Sequence, residues 1–272
     1  MMKVEVKGGV KLNLNTKIFG KKIFFFEKAG STNDLAYQHA LRGKEGDLFI
    51  AESQTKGRGR MGRKWFSPKG KGLWFSLILK PKINFSDTTL LPLLTAVSCA
   101  DAINKTLGLD VNPAHRLDPT RGGVKIKWPN DLLINNKKIG GLLLEVKAEI
   151  DKINFLIVGI GVDVNLNKKD YPKYLGDKVT SLKIEKGDTV SRAGLLASIL
   201  ENLENNYLRF PNNKVDIIKT YSNLCSNLGK MINVETQTGI IKGEAVKIEE
   251  SGCLILKDEY GKLLRLSSGD VM

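Results

Sequence analysis

The sequence has no apolar run approaching the roughly 20 residues needed to cross a bilayer, and residues 1–5 lack the apolar stretch of a secretion signal. It has only three cysteines, Cys99, Cys225 and Cys253, which are far apart and have no His or Cys nearby at metal-ligand spacing. These absences argue against a membrane protein, a secreted disulfide scaffold and a zinc module. We expect a cytoplasmic protein whose cysteines are reduced and pack as apolar side chains.

Two common phosphate-binding signatures are also missing. The segment Gly57–Trp65 (GRGRMGRKW) alternates three glycines with four cations, but no Gly-Lys-Ser/Thr ending follows it, and its arginines break a GxGxxG pattern. Glycine lets the backbone approach a ligand, and guanidinium groups suit phosphate or carboxylate oxygens. The segment therefore predicts an anion-binding loop. A flexible Arg/Gly-rich tail that binds nucleic acid fits less well, because apolar runs lie on both sides, at 48–51 and 73–79.

The charge is one-sided, with a formal net charge of +14 over 272 residues. Such a balance favours acidic partners, nucleic acid among them. The lysines are spread along the chain, however, and an acidic protein substrate would be attracted by the same field. Charge alone therefore does not separate a nucleic-acid-binding module from an enzyme that acts on an acidic protein.

Hydrophobic periodicity predicts a mixed α+β layer with helices packed on a sheet. Helices are predicted at about 34–41, 88–106, 191–210 and 215–224, and strands at 23–27, 48–51, 73–79, 124–128, 132–134, 141–146 and 155–159. Asn135-Asn136 predicts a tight hairpin turn. The segment 111–123 is predicted to be an exposed loop because it has two prolines, a Gly-Gly pair and no periodicity.

The pattern changes after residue 225. Short alternating strands separated by Gly, Glu and Asp turns fill the last 45 or so residues, which is typical of a small β-barrel. We therefore predict two domains, at 1–225 and 226–272.

Three further motifs present polar groups at strand ends. Lys127–Asp131 (KWPND) closes a strand with a proline and then offers an amide and a carboxylate; the alternative is a proline turn with an Asx cap. Lys137–Gly141 (KKIGG) places cations beside a glycine pair, and taken alone it fits a solvated hairpin equally well. Gly159–Asn165 (GIGVDVN) ends an apolar strand with glycines against which a flat or anionic ligand can lie.

Together with Gly30–Asn33 and Gln54, these motifs resemble those of the biotin protein ligases, the biotin–[acetyl-CoA carboxylase] ligase family. GRGRMGRKW, KWPNDLL, KKIGGLLLE and GIGVDVN occur in the family's order, and the resemblance runs from about residue 23 to the end. It implies a catalytic domain like that of class II aminoacyl-tRNA synthetases and a C-terminal SH3-like barrel. It also implies a two-step reaction, in which biotin and MgATP give biotinyl-5′-adenylate and a lysine of a biotin carboxyl carrier protein then accepts biotin.

The resemblance also implies roles for individual residues. Arg60, Lys138 and Asp131 are the expected catalytic residues, with Lys138 between the biotin carboxylate and the α-phosphate and Asp131 orienting the carrier lysine. The expected biotin-binding residues are Ser31, Thr32, Asn33, Gln54, Arg58, Gly59, Arg60, Trp65, Lys138, Gly140 and Gly141. The expected ATP-binding residues are Arg58, Arg60, Trp65, Lys127, Asn130, Gly161, Asp163 and Asn165. No metal ligand is assigned.

One position departs from the family pattern. Asp163 stands where family members often carry Asn, and an ionised Asp accepts hydrogen bonds but does not donate them. We expect Asn165 to share the nucleotide contact for that reason.

The same motifs bear on other activities and partners. About 20 residues precede the first core strand and show no helical periodicity, so we expect a ligase without a DNA-binding repressor function. A homodimer is one candidate assembly. A lipoate or octanoyl ligase of the same fold is the first alternative, and a nucleic-acid-binding module is the second.

Overall fold

A computed structural model describes residues 2–6, 10–109, 123–149 and 152–272. The predicted loop at 111–123 lies almost entirely outside the described residues. Among the helices that are described, none is both long and apolar enough to cross a membrane. The three cysteines are unpaired, with Cys99 and Cys253 buried and Cys225 half-buried. Burial raises the pKa of the Cys99 thiol, so this side chain packs as an apolar group.

A seven-stranded mixed sheet forms the centre of the larger part of the chain, in the order β3-β4-β5-β9-β8-β7-β6. Only the β3–β4 pair is parallel. The strands are β3 (Ile23–Phe26), β4 (Leu48–Ala51), β5 (Gly72–Leu79), β6 (Lys125–Lys127), β7 (Asp131–Ile134), β8 (Lys137–Glu149) and β9 (Lys152–Asp163). This confirms the predicted mixed α+β layer.

Helices cover both faces of this sheet. They are α1 (Thr32–Ala40), α2 (Leu91–Thr106), α3 (Leu182–Lys186), α4 (Arg192–Arg209) and α5 (Lys214–Leu224). α1 packs on β4, β5 and β9 over a small cluster that includes Phe49, Ile78 and Ile157. α2 packs against α4 and α5, and their buried leucines belong to the main core with the other face of the sheet. β5 is buried along its whole length because both of its faces are covered.

The element boundaries differ from the predicted ones in informative places. β8 and β9 extend past the apolar runs into Lys147–Glu149 and Lys152–Asn154, where side chains are exposed or half-buried and the apolar pattern fades. α2 begins at Leu91, after a 3₁₀ turn over Phe85–Leu90, because Pro92 lies in its first turn. The turn at Asn135-Asn136 is confirmed, since both residues have positive φ angles of 49° and 61°.

The segment before β3 is tied to α4 by one buried carboxylate. A hairpin of β1 (Met2–Val6) and β2 (Val10–Leu14) comes first. Glu204 then accepts hydrogen bonds from the backbone N–H groups of Lys17, Ile18 (2.6 Å) and Phe19 (2.7 Å). Glu204 is only 3% exposed, and these three donors offset the free-energy cost of burying its carboxylate.

The C-terminal strands form a five-stranded antiparallel sheet in the order β13-β12-β11-β10-β14. They are β10 (Met231–Thr236), β11 (Gly239–Ile248), β12 (Leu254–Lys257), β13 (Leu263–Leu266) and β14 (Asp270–Val271). The strand pattern agrees with the predicted SH3-like domain, although β11 is ten residues long rather than short. Leu254 and Leu256 belong to the same core as the larger sheet, so the two parts pack against each other.

Candidate active site

One cavity of about 260 Å³ lies over the end of the large sheet. Gly159, Gly161 and Asp163 all line it, because alternate residues of β9 point to one face of the sheet. The five residues from Gly159 to Asp163 span about 13 Å of strand. The cavity is therefore elongated, and the three positions mark its first end, its middle and its second end.

The first end is polar and tightly hydrogen-bonded. The Oε1 atom of Gln54 accepts hydrogen bonds from the backbone N–H (2.8 Å) and the hydroxyl (3.1 Å) of Thr32. Asn33 donates to Glu145 at 2.7 Å and accepts from Ser76 at 2.6 Å. A Cβ atom at Gly159 would lie 2.1 Å from Asn33 Oδ1, so only glycine admits Asn33 here. Ser31 lines this end as well.

The glycine-arginine loop closes one side of the cavity, and its cations are paired with acids from three other segments. Arg58 contacts Asp34 on α1 and Glu145 on β8. Arg60 donates to the carbonyl oxygen of Gly269 at 3.0 Å and lies 3.3 Å from Asp270. The C-terminal domain therefore holds the loop through Arg60.

Trp65 forms the wall over the middle of the cavity. Cβ atoms built at Gly141 and Gly161 would lie 3.2 and 2.6 Å from its indole ring, so these two glycines let the ring lie against the sheet. Lys138 Nζ lies 5.0 Å from the centre of the same ring, within the range of a cation–π contact. The indole Nε1 is buried and has no hydrogen-bond partner among the residues that the structure describes.

Lys138 brings a cation from a neighbouring strand to the same space. Its Nζ lies 2.7 Å from Asp131 Oδ1, because β7 and β8 pair antiparallel through the Asn135-Asn136 turn. Lys127 also lines the cavity, and burial lowers the pKa of its ammonium while Asp131 raises it. Two cations and one carboxylate thus lie together in the cavity lining, beside Trp65 of the loop.

The second end of the cavity holds a buried acid. Asp163 is 6% exposed, and burial raises its pKa to about 8. Its Oδ2 lies 3.2 Å from the hydroxyl of Tyr171, whereas its Oδ1 has no partner among the described residues. Desolvation therefore favours the uncharged form of the Asp163 carboxyl, whereas the sequence argument considered its ionised form.

Most of the predicted residues line this one cavity. Of the predicted set, the lining includes Ser31, Thr32, Asn33, Gln54, Arg58, Gly59, Arg60, Trp65, Lys127, Asn130, Asp131, Lys138, Gly141, Gly161 and Asp163. Gly140 and Asn165 are not part of it. A Cβ atom at Gly140 would meet Leu132 and the carbonyl oxygen of Gly161. Asn165 exchanges two 2.9 Å hydrogen bonds with the backbone of Val190, so its side chain holds a loop.

Several lining residues are absent from the predicted set. Arg63 and Lys64 belong to the Gly57–Trp65 motif, but the resemblance assigns them no role. Arg63 lies 3.0 Å from Asp270. Tyr174, Leu175 and Val179 line the apolar part of the cavity, and Asp270 and Val271 come from β14. No spacing signal links these last residues to the motifs, because tertiary packing alone brings them there.

Comparisons with known proteins agree with this geometry. Residues 26–165 match the Biotin/lipoate A/B protein ligase family, and residues 228–272 match the Biotin protein ligase C terminal domain. The chain is 34% identical over 264 residues to the Bifunctional ligase/repressor BirA of Bacillus subtilis, covering 96% of this chain and 77% of that protein. It is 29% identical over 254 residues to the Biotin--[acetyl-CoA-carboxylase] ligase of Mycobacterium tuberculosis, covering 90% and 86%.

A solved structure gives the same result. The biotin protein ligase from Aquifex aeolicus in complex with biotin and ATP matches with a TM-score of 0.76 and 29% identity, over 93% of this chain and 98% of that one.

Proposed function

The chain belongs to the Biotin/lipoate A/B protein ligase family, and from this premise we propose how its cavity carries out ATP-dependent biotinylation. The chain is a biotin protein ligase: it activates biotin to biotinyl-5′-adenylate and then transfers biotin to a lysine of a carrier protein. The roles of the individual residues below are our proposal. The observation that carries them is that Arg60 and Lys138, far apart in sequence, line one cavity.

Activation requires two anions to meet. The biotin carboxylate attacks the α-phosphorus of ATP, a P–O bond forms, and pyrophosphate leaves with the electron pair of the bond that breaks. Negative charge concentrates at the α-phosphate as the bond forms, so fixed cations stabilise the transition state more than the separate substrates. We assign Lys138 and Arg60 to this task, with Arg58 in the same cavity lining.

Each end of the cavity binds one substrate. The Thr32–Gln54 pair and Ser31 present hydroxyl, amide and backbone groups, which match the donors and the acceptor of the biotin ureido ring. Trp65 then covers the apolar rings of biotin and separates them from water. The nucleotide takes the second end, where Asp163 and an apolar wall lie, and Asn130 and Lys127 stand between the two ends.

Mg²⁺ is proposed to enter with ATP. Within the described ranges, no group of three or more His, Cys, Asp and Glu side chains is placed to hold a metal ion. A small hard cation can instead take its ligands from phosphate oxygens and water. Such an ion would reduce the charge on the phosphates. We assign no protein ligand to it.

Transfer requires a neutral lysine amine and a protected intermediate. The carrier lysine, with an ordinary pKa near 10.4, must lose its proton before it attacks the mixed anhydride and releases AMP. Asp131 is paired with Lys138, so we propose that it positions the incoming amine rather than acting as a strong base. The loop that Arg60 fastens to Gly269 and Asp270 excludes water until the carrier docks.

The partner is proposed to be a biotin carboxyl carrier protein. The +14 net charge attracts an acidic carrier at low salt, and the cytoplasm is the proposed compartment. We propose a boundary near residue 226 between the catalytic and C-terminal domains, with Asp270 reaching back across it. We also propose a homodimer without sequence-specific DNA binding, which sedimentation and DNA-binding measurements would check.

Substrate choice is the direct test of this function. The purified chain is expected to release pyrophosphate with ATP and biotin, and to retain biotinyl-5′-adenylate until carrier is added. Mass spectrometry of the bound nucleotide and of the carrier measures both steps. A lipoate ligase has the same fold, so lipoate and octanoate serve as matched acids. Adenylate formed only with lipoate or octanoate would refute the assignment.

A further inference from the structure

The buried carboxyl at the end of β9 is not explained by the activation chemistry alone. Asp163 is more than nine-tenths buried and faces the cavity, yet its Oδ1 has no partner within the described part of the chain. An unpaired buried polar atom costs free energy. Such an atom in a binding cavity therefore indicates a ligand group that completes it.

The surroundings show which form of the carboxyl they support. A buried carboxylate is normally held by two or three hydrogen-bond donors. Among the described residues Asp163 has one, the Tyr171 hydroxyl at 3.2 Å, and that hydroxyl also donates to the carbonyl oxygen of Thr180 at 2.7 Å. The geometry thus leaves a negative charge on Asp163 largely uncompensated.

The charged groups around this position do not change that result. Lys138 acts on Asp163 from β8, but its ammonium lies 2.7 Å from Asp131. Lys71, next to the strand that pairs with Asp163, lies 3.1 Å from Asp170. Each nearby cation therefore has a closer carboxylate, and the neutral form of Asp163 persists to a pH of about 8, where burial has raised its pKa.

The shape of this end favours a flat ring. Tyr174, Leu175 and Val179 line the cavity with apolar groups, and Val179 bridges to Lys138 on the strand beside the one that carries Asp163. A planar heterocycle packs against such surfaces and loses little by leaving water. It must still offer an acceptor to a neutral carboxyl, and the ring nitrogens of adenine are acceptors of that kind.

We propose that Asp163 binds the adenine ring of ATP as a neutral carboxylic acid, with its Oδ1 hydroxyl donating a hydrogen bond to a ring nitrogen. The inference rests on the proposed function and deepens it, because it makes Asp163 a determinant of nucleotide binding. An ionised Asp163 presents only lone pairs to that nitrogen, so deprotonation removes the bond and adds repulsion. An asparagine here would donate through its amide at every pH.

ATP binding is therefore expected to weaken as the pH rises. With a pKa of about 8, the neutral fraction of Asp163 falls about tenfold between pH 7 and pH 9, and the apparent dissociation constant rises by the same factor. Isothermal titration with ATP across this range measures the change. The Asp163→Asn variant is expected to show a much flatter profile, because its donor does not titrate.

A matched control separates this effect from other titrations. Asp101 lies on α2 outside the cavity lining, and burial raises its pKa to about 6. The Asp101→Asn variant should keep the wild-type profile with ATP. A wild-type profile without the rise, or an equal rise in Asp163→Asn, would overturn the proposal.

A second measurement does not depend on ATP or on turnover. The folded-state pKa of Asp163 is raised above its ordinary value of 3.8 to about 8, so the folded chain holds a proton that the unfolded chain releases. Stability must then fall as the pH rises from about 4 to about 8. The Tm of the ligand-free wild type should fall relative to that of Asp163→Asn between pH 6 and pH 9. Parallel Tm curves would refute the neutral carboxyl even if biotinylation is observed, whereas loss of biotinylation with diverging Tm curves would count against the proposed function alone.

Discussion

Replacing Lys138 with alanine is expected to slow biotinyl-5′-adenylate formation by about 100-fold or more. The ammonium lies between Trp65 and Asp131 on the wall of the cavity, where we place the meeting point of carboxylate and α-phosphate. Its loss leaves Asp131 without its partner and adds repulsion toward both anions. Rapid-quench measurement of adenylate in a single turnover reports this step directly.

Lys137→Ala is the matched control for this change. Lys137 is the adjacent cation at the start of β8 and does not line the cavity in the described structure, so its removal alters net charge by the same amount. Arg60→Ala should also lose adenylate synthesis, but it breaks the contacts with Gly269 and Asp270 as well. Wild-type rates for Lys138→Ala with an intact fold would contradict the proposed mechanism.

The second large effect on the reaction is expected when a methyl group is added at Gly161. The new Cβ would lie 2.6 Å from Trp65 Nε1 and 2.7 Å from Cε2, which is closer than atoms approach without displacement. The Gly161→Ala variant must therefore move the indole and the loop that carries it. A displacement of about 1 Å in a catalytic site costs up to about 100-fold in rate. We expect slower activation and loss of the adenylate to hydrolysis before transfer.

The ratio of free biotin released to carrier biotinylated measures that loss. Gly30→Ala is the control, because a Cβ atom there would meet nothing within 4 Å and Gly30 does not have a positive φ. It adds the same methyl group near the same site. An unchanged ratio in Gly161→Ala would show that Trp65 does not seal the cavity.

Much of this fold could be predicted because its signals are local. Apolar runs fixed β4 at Leu48–Ala51, and the Asn135-Asn136 pair predicted the hairpin that sets Lys138 beside Asp131. Cations and glycines in short motifs likewise predicted a set of residues, most of which line one cavity. A local sequence pattern is enough to predict a side chain's position when a single strand or turn determines that position.

The features that the sequence does not predict depend on long-range packing. Asp270 reaches the cavity because the C-terminal sheet shares a core with the larger one, and no residue spacing encodes that. The protonation state of Asp163 depends on how many donors surround it, which only the packed structure reveals. Asn165 is the last residue of the same GIGVDVN motif, but its side chain binds Val190 instead of lining the cavity, because β9 ends at Asp163.

The carboxylate of Glu204 sets a practical limit on shortened versions of this chain. By capturing the amides of three consecutive residues, 17–19, it makes the stretch just ahead of β3 part of the folded core. Phe19 and Leu14 are both almost completely buried there. Removing the chain through Leu14 would leave a cavity in the core, and removing it through Phe19 would also leave the Glu204 carboxylate on α4 without its donors. An expression boundary therefore belongs upstream of Leu14.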